Sequence, residues 1–178
     1  MRATGTAKEK VHMARKSKLK NKKFLIFFYG EPNSGKSSRL KELGKLLLPE
    51  CETYSESRIT TNYKGKKISS PDRNIIGVWN GCTVGIRTLG DIIGEVERSI
   101  SEFVNNNSSI AIMASHWNNS DFKKKCSARV ITQINGFEPV DIPSIKRCSD
   151  TSRGDACYTT ARELYMHLLH LVTTGSFK

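Results

Sequence analysis

Lys23-Phe24-Leu25-Ile26-Phe27-Phe28-Tyr29 followed by Gly30-Glu31-Pro32-Asn33-Ser34-Gly35-Lys36-Ser37 is the stretch that decides the reading of this chain. The apolar, aromatic-rich run is bounded by charge and then glycine, which predicts a strand covered on both faces and therefore central in a parallel sheet. From Ser37 to Leu48 the residues Leu40, Leu43 and Leu47 fall on one helical face, and Pro49 stops the pattern. The order is then strand, glycine loop, helix.

Gly30 to Ser37 satisfies the spacing G-x-x-x-x-G-K-[ST] in that context. Glycine is needed at both ends because the backbone must wrap closely around a polyphosphate with its N–H groups turned inward. The helix N-terminus adds a favourable dipole for an anion. Gly30, Glu31, Pro32, Asn33, Ser34, Gly35, Lys36, Ser37 and Ser38 are the expected nucleotide-binding residues. Lys36 is expected to reach the β- and γ-phosphates and Ser37 to ligate a bridging Mg²⁺. At these residues the chain resembles the P-loop NTPase superfamily, closely over about residues 23–48 and elsewhere only in the order of its elements. The resemblance implies ATP, less readily GTP, with Mg²⁺; it leaves open whether the γ-phosphoryl group goes to water or to another acceptor.

Working outward, residues 49–72 are polar, contain Gly65 and Pro71, show no apolar period and predict a long mobile connection. Asn74 to Trp79 and Thr83 to Arg87 are separated by Asn80-Gly81-Cys82, whose Asn-Gly step suits a tight antiparallel hairpin. Asp91 opens a helix with Ile92, Ile93, Val96, Ile100, Phe103 and Val104 at three- and four-residue steps, ending at Asn105-Asn106-Asn107. Ser109 to Ala114 predicts a second buried strand, Asp121 to Cys126 a helical turn, and Arg129 to Ile134 a further strand. Gly136 to Gly154 reads as irregular, and a last helix carries Ala161, Leu164, Tyr165, Leu168, Leu171 and Val172; Thr160 and Glu163 fit a capping box, with a start a few residues earlier as the alternative. The expected fold is an α/β, three-layer α/β/α sandwich, with a mostly parallel sheet of about five strands and one antiparallel hairpin. The expected division is a basic, disordered tail over 1–22 and a nucleotide-binding domain over 23–178.

An acidic residue usually completes such a site at the end of a neighbouring strand. Ser109 to Ala114 leads instead into Ser115 and His116, so Asp91 becomes the expected second magnesium residue beside Ser37, with a plain N-cap as its alternative role. The run Gly85-Ile86-Arg87-Thr88-Leu89-Gly90-Asp91 resembles one in small, poorly characterised bacterial P-loop ATP-binding proteins. Asp91-Ile92-Ile93-Gly94 also fits the D-x-x-G of GTPases, with Thr60 or Thr61 as a switch residue. Against that reading, Asn118-Asn119-Ser120-Asp121 lacks the lysine of a guanine-selecting N-K-x-D. Arg147 and Arg153 are candidates for neutralising charge on a moving phosphoryl group, or are solvated surface. His116 is a candidate for orienting water or an acceptor hydroxyl, or is a structural histidine.

The net charge of +12 is uneven: residues 1–23 hold nine Lys or Arg against Glu9 alone. Such a block attracts nucleic acid or an acidic partner through residues 2–23, and the same composition serves solubilising tails. A nucleotide-dependent switch that engages a partner through this tail is the alternative to an enzyme. Five scattered cysteines without a C-x-x-C pair read as reduced structural thiols. No apolar run reaches the length of a membrane span, and a cytoplasmic location is the expectation.

Overall fold

Strand β1 (Phe24–Tyr29) lies inside the sheet, as its uninterrupted apolar sequence requires. Phe24, Ile26 and Phe28 enter one buried cluster and Leu25 and Phe27 the other, so both faces of the strand are covered. In this computed structural model the described residues are 19, 21–30, 34–63, 66–88, 93–115, 122–143 and 153–176, with the backbone alone at 61–63, 66, 68, 93–95, 122–126, 143 and 153–156.

Around β1 stand helix α1 (Lys36–Leu47), a 3-10 turn (Leu48–Glu50), strands β2 (Thr53–Tyr63), β3 (Lys66–Trp79) and β4 (Cys82–Arg87), helix α2 (Ile93–Asn105), strand β5 (Ile110–Ser115), helix α3 (Phe122–Ile134), strand β6 (Glu138–Pro143) and helix α4 (Arg153–Thr174). The sheet has six strands in the order β2-β3-β4-β5-β1-β6. β4, β5, β1 and β6 run parallel, and β3 is antiparallel to both β2 and β4. The fold is thus mixed α/β with two hairpins where one was expected and six strands where about five were. Leucines of α1 and Ala161, Leu164, Leu168 and Leu171 of α4 pack in one cluster, while Val96, Ile100 and Phe103 of α2 and Ala128 of α3 pack in the other. Leu19, within the expected tail, is 2% exposed and belongs to the first cluster.

The hairpin at Asn80-Gly81 is as the sequence predicts, with φ of 50° and 71° at its two central residues. Four other expectations are corrected. The described residues of 49–72 lie mostly in the 3-10 turn, in β2 and in the first half of β3. Their polar sequence concealed this because residues 53–58 are exposed on both faces, so backbone pairing with β3 rather than an apolar stripe holds them in the sheet. Arg129 to Ile134 is the second half of helix α3. Its β-branched run looked like a strand, yet Val130 and Ile134 are exposed while Ala128 and Thr132, one turn apart, are buried. The segment taken as irregular contains β6, an edge strand, where Pro139 and Pro143 need not donate to a ladder on both sides. Helix α4 begins at Arg153, the earlier start that the sequence leaves open, so Thr160 lies inside the helix and the capping-box reading is withdrawn.

Gly85 of β4 is glycine for a steric reason. A Cβ there would come within 2.6 Å and 2.7 Å of the Phe103 ring, which is itself fully buried. Gly85→Ala is expected to lower stability by about 1–3 kcal/mol through overpacking, measured by urea unfolding, with an unchanged midpoint as the contrary result.

Candidate functional site

The carboxyl ends of β4, β5, β1 and β6 share one edge of the sheet, and ligands of open α/β sheets bind outside such an edge. The glycine loop leaves Tyr29 at this edge, and Gly30 donates its N–H to the Ser115 carbonyl at 3.2 Å. Ser115 ends β5, is fully buried, and its Oγ has no hydrogen-bond partner among the described residues.

Gly35 precedes α1 with φ 83°, a left-handed conformation that glycine adopts without strain. The first turn, Lys36 to Arg39, contains no acidic residue and two cations, both buried. Lys36 is 2% exposed; its Nζ donates to the Gly30 carbonyl at 2.9 Å and to Ser34 Oγ at 3.4 Å. Arg39 Nη1 donates to the Ser34 carbonyl at 2.5 Å, clasping the far side of the loop. Cations at the positive end of a helix oppose its dipole, so this arrangement favours an anion at the loop.

Ser37 Oγ donates to the Thr88 carbonyl at 2.8 Å. A hydroxyl that gives its one proton away keeps its oxygen lone pairs for a cation. Thr88, immediately after β4, is 1% exposed and held on three sides: its N–H donates to the Arg73 carbonyl at 3.0 Å, its Oγ1 accepts from the Arg73 N–H at 2.8 Å, and the same Oγ1 donates to Asp72 Oδ1 at 2.9 Å. Asp72 Oδ2 accepts from Ser70 Oγ at 2.7 Å. The neighbouring Arg87 is buried against Glu102, which ties the end of β4 to α2.

Comparison with family models, with curated proteins and with solved structures finds no match to this chain.

Of the residues expected from sequence, Gly30, Ser34, Gly35, Lys36, Ser37 and Ser38 come together around the start of α1, with Ser38 half-buried. Glu31, Pro32, Asn33, Asp91, His116 and Arg147 lie outside the described residues, as does Asn118 to Asp121. Arg153 opens α4, and the structure describes its backbone alone. Thr60 and Thr61 belong to β2 rather than to a loop, which removes the reason for reading either as a switch. Sequence reading missed Arg39, Thr88 and Asp72. Thr88 sat within the quoted run Gly85 to Asp91, but Asp72 lay in the segment read as a mobile connection, and nothing in its spacing connects it to the loop. No group of three or more His, Cys, Asp or Glu side chains that could hold a metal ion occurs among the described residues. Among the described residues, no helix is long and apolar enough to cross a membrane.

Proposed function

We propose that this chain is a P-loop nucleotide-binding protein of three-layer α/β/α architecture, which binds a nucleoside triphosphate with Mg²⁺ at Gly30 to Ser38. It then hydrolyses the triphosphate or transfers its γ-phosphoryl group. The observation that carries the reading is the first turn of α1, where Lys36 and Arg39 are both buried at the positive end of the helix with no acidic residue in that turn. A polyanion at the loop meets the helix dipole and the Lys36 ammonium group at once, while Arg39 stays on the Ser34 carbonyl. ATP is placed before GTP because the guanine-selecting pattern is absent at Asn118 to Asp121.

In this reading each residue has a separable task. The backbone of Gly30 to Gly35 wraps the phosphates, and Lys36 moves its ammonium group from the Gly30 carbonyl to the β- and γ-phosphate oxygens. Arg39, through the Ser34 carbonyl, fixes the loop's curvature rather than touching the nucleotide. Ser37 offers its oxygen to Mg²⁺ while its O–H still donates to the Thr88 carbonyl. When bound, the magnesium ion neutralises charge that builds on the phosphate oxygens. Asp91, three positions beyond Thr88, is assigned to the metal's water shell, His116 to the attacking water or acceptor hydroxyl, and Arg147 and Arg153 to the charge on the moving group.

Calorimetric titration with ATP, GTP, ADP and a non-hydrolysable ATP analogue, each with Mg²⁺, tests the proposal. Saturable binding with the triphosphates ahead of ADP is expected, and absence of binding to all four overturns it. Stimulation of turnover by one small acceptor separates phosphoryl transfer from hydrolysis.

A further inference from the structure

The arm formed by β2 and β3 reaches past the edge at which the site lies. Asn74 pairs with Arg87, the last residue of β4, so the part of β3 before Asn74 has its strand partners, at Lys66 to Ser69 and Arg73, in β2 and none in β4. The root of this arm is Asp72-Arg73, and both residues grip Thr88. The Thr88 carbonyl in turn accepts the hydrogen bond from Ser37 Oγ. The chain of contacts from Asp72 to Ser37 spans three elements that are far apart in sequence.

We infer that Asp72 is a positioning residue for the magnesium site, and that it acts through Thr88 on the orientation of the Ser37 hydroxyl. The inference rests on reading the glycine loop as a site for a triphosphate with magnesium. Thr88 follows the end of β4, where the ladder to β3 stops, and a residue there swings about its own φ and ψ unless something holds it. The Asp72 carboxylate holds it from the side-chain end, and the Arg73 backbone holds it from the main-chain end. Its carbonyl is thereby aimed at Ser37 Oγ, which fixes the Ser37 rotamer and leaves the lone pairs of that oxygen for the cation. Groups behind a metal ligand that orient it in this way contribute to metal affinity although they never touch the ion.

Geometry and charge are separable here. Asparagine in place of Asp72 can accept from Thr88 Oγ1 through Oδ1 and donate to Ser70 Oγ through its amide, so it keeps the lock and discards the charge. Alanine discards both. Thr88→Val keeps the Thr88 backbone and approximate shape but removes the hydroxyl that meets both Asp72 and the Arg73 N–H, so it opens the whole side-chain half of the lock.

The experiment measures Mg²⁺ affinity of the ATP-loaded full chain and, separately, ATP affinity in EDTA, for wild type, Asp72→Asn, Asp72→Ala and Thr88→Val. Asp72→Ala and Thr88→Val are expected to weaken Mg²⁺ binding about tenfold and to leave ATP affinity in EDTA unchanged, with Asp72→Asn within about twofold of wild type. Wild-type Mg²⁺ affinity in a folded Asp72→Ala overturns the inference. So does an Asp72→Asn variant that loses as much as alanine, because that result assigns the effect to charge. Should Asp72→Ala fail to fold, Thr88→Val decides on the same criteria. Amide hydrogen exchange at Thr88 in the nucleotide-free protein reads the lock directly. It is expected to speed up in Asp72→Ala and Thr88→Val and to stay at the wild-type rate in Asp72→Asn. Unaltered exchange in Asp72→Ala overturns the lock itself, whereas wild-type failure to bind any nucleotide overturns the reading of the loop and leaves the exchange result standing.

Discussion

Replacing Lys36 by alanine is expected to weaken triphosphate binding about 10- to 100-fold, the range of one or two lost charge-assisted hydrogen bonds to phosphate, and to abolish measurable turnover. Lys36 is buried in the loop rather than extended into solvent, so its loss also removes contacts with Gly30 and Ser34. Lys36→Met controls for this, because it keeps an unbranched stem against the loop while removing the ammonium group. If the charge matters through phosphate, both variants lose affinity by a similar factor and both keep the thermal midpoint of the nucleotide-free wild type within a few degrees. Wild-type affinity in either variant would remove the basis for the proposed site. ADP is expected to suffer less than ATP, because Lys36 also reaches the γ-phosphate that ADP lacks.

At the opposite end of the sheet, Trp79→Ala is expected to destabilise the protein by about 3–5 kcal/mol, the usual cost of truncating a large buried aromatic. Trp79 is 1% exposed; its Nε1–H donates to Glu50 Oε2 at 3.1 Å, and its ring lies 5.6 Å from that of Tyr165. Tyr165 donates its hydroxyl to the same Glu50 oxygen at 2.7 Å, so one carboxylate joins the end of α1's 3-10 turn, strand β3 and helix α4. Desolvation by burial, followed by the hydrogen bond to Glu50, pushes the Tyr165 hydroxyl up to about 12. At 2–4 °C per kcal/mol for a chain of this size, the variant should melt roughly 10 °C below wild type by calorimetry. Trp79→Phe keeps the ring contact and loses the N–H, and about 1 kcal/mol is its expected loss. Because the cluster lies far from the glycine loop, nucleotide affinity of folded Trp79→Ala should match wild type. A fall in both would show that the two ends of the sheet are coupled.

The glycine loop and its neighbours were legible because the interactions that shape them are local. Gly35 needs a left-handed backbone, Lys36 reaches back six positions to Gly30, and Leu40, Leu43 and Leu47 repeat along one helix face. Periodicity and steric need are written in adjacent residues, and a linear reading recovers them. The same holds for the Asn80-Gly81 turn. Where the reading failed, the deciding contact was distant. In β2 the partner strand rather than an apolar stripe supplies the order, and in α3 a β-branched run is held helical by neighbours that bury Ala128 and Thr132 and leave Val130 outside.

The amino-acid sequence by itself determined a mixed α/β chain, the buried strand Phe24–Tyr29, the glycine loop, and the lysine and serine that open α1. Only the tertiary structure decided that Arg39 clasps that loop, that Leu19 joins the core, and that Thr88, 51 positions from Ser37, accepts its hydrogen bond with Asp72 behind it. The physical reason is the same throughout. Backbone conformation and apolar repeat act between near neighbours, whereas a hydrogen-bond partner brought in by strand pairing has no fixed separation along the chain.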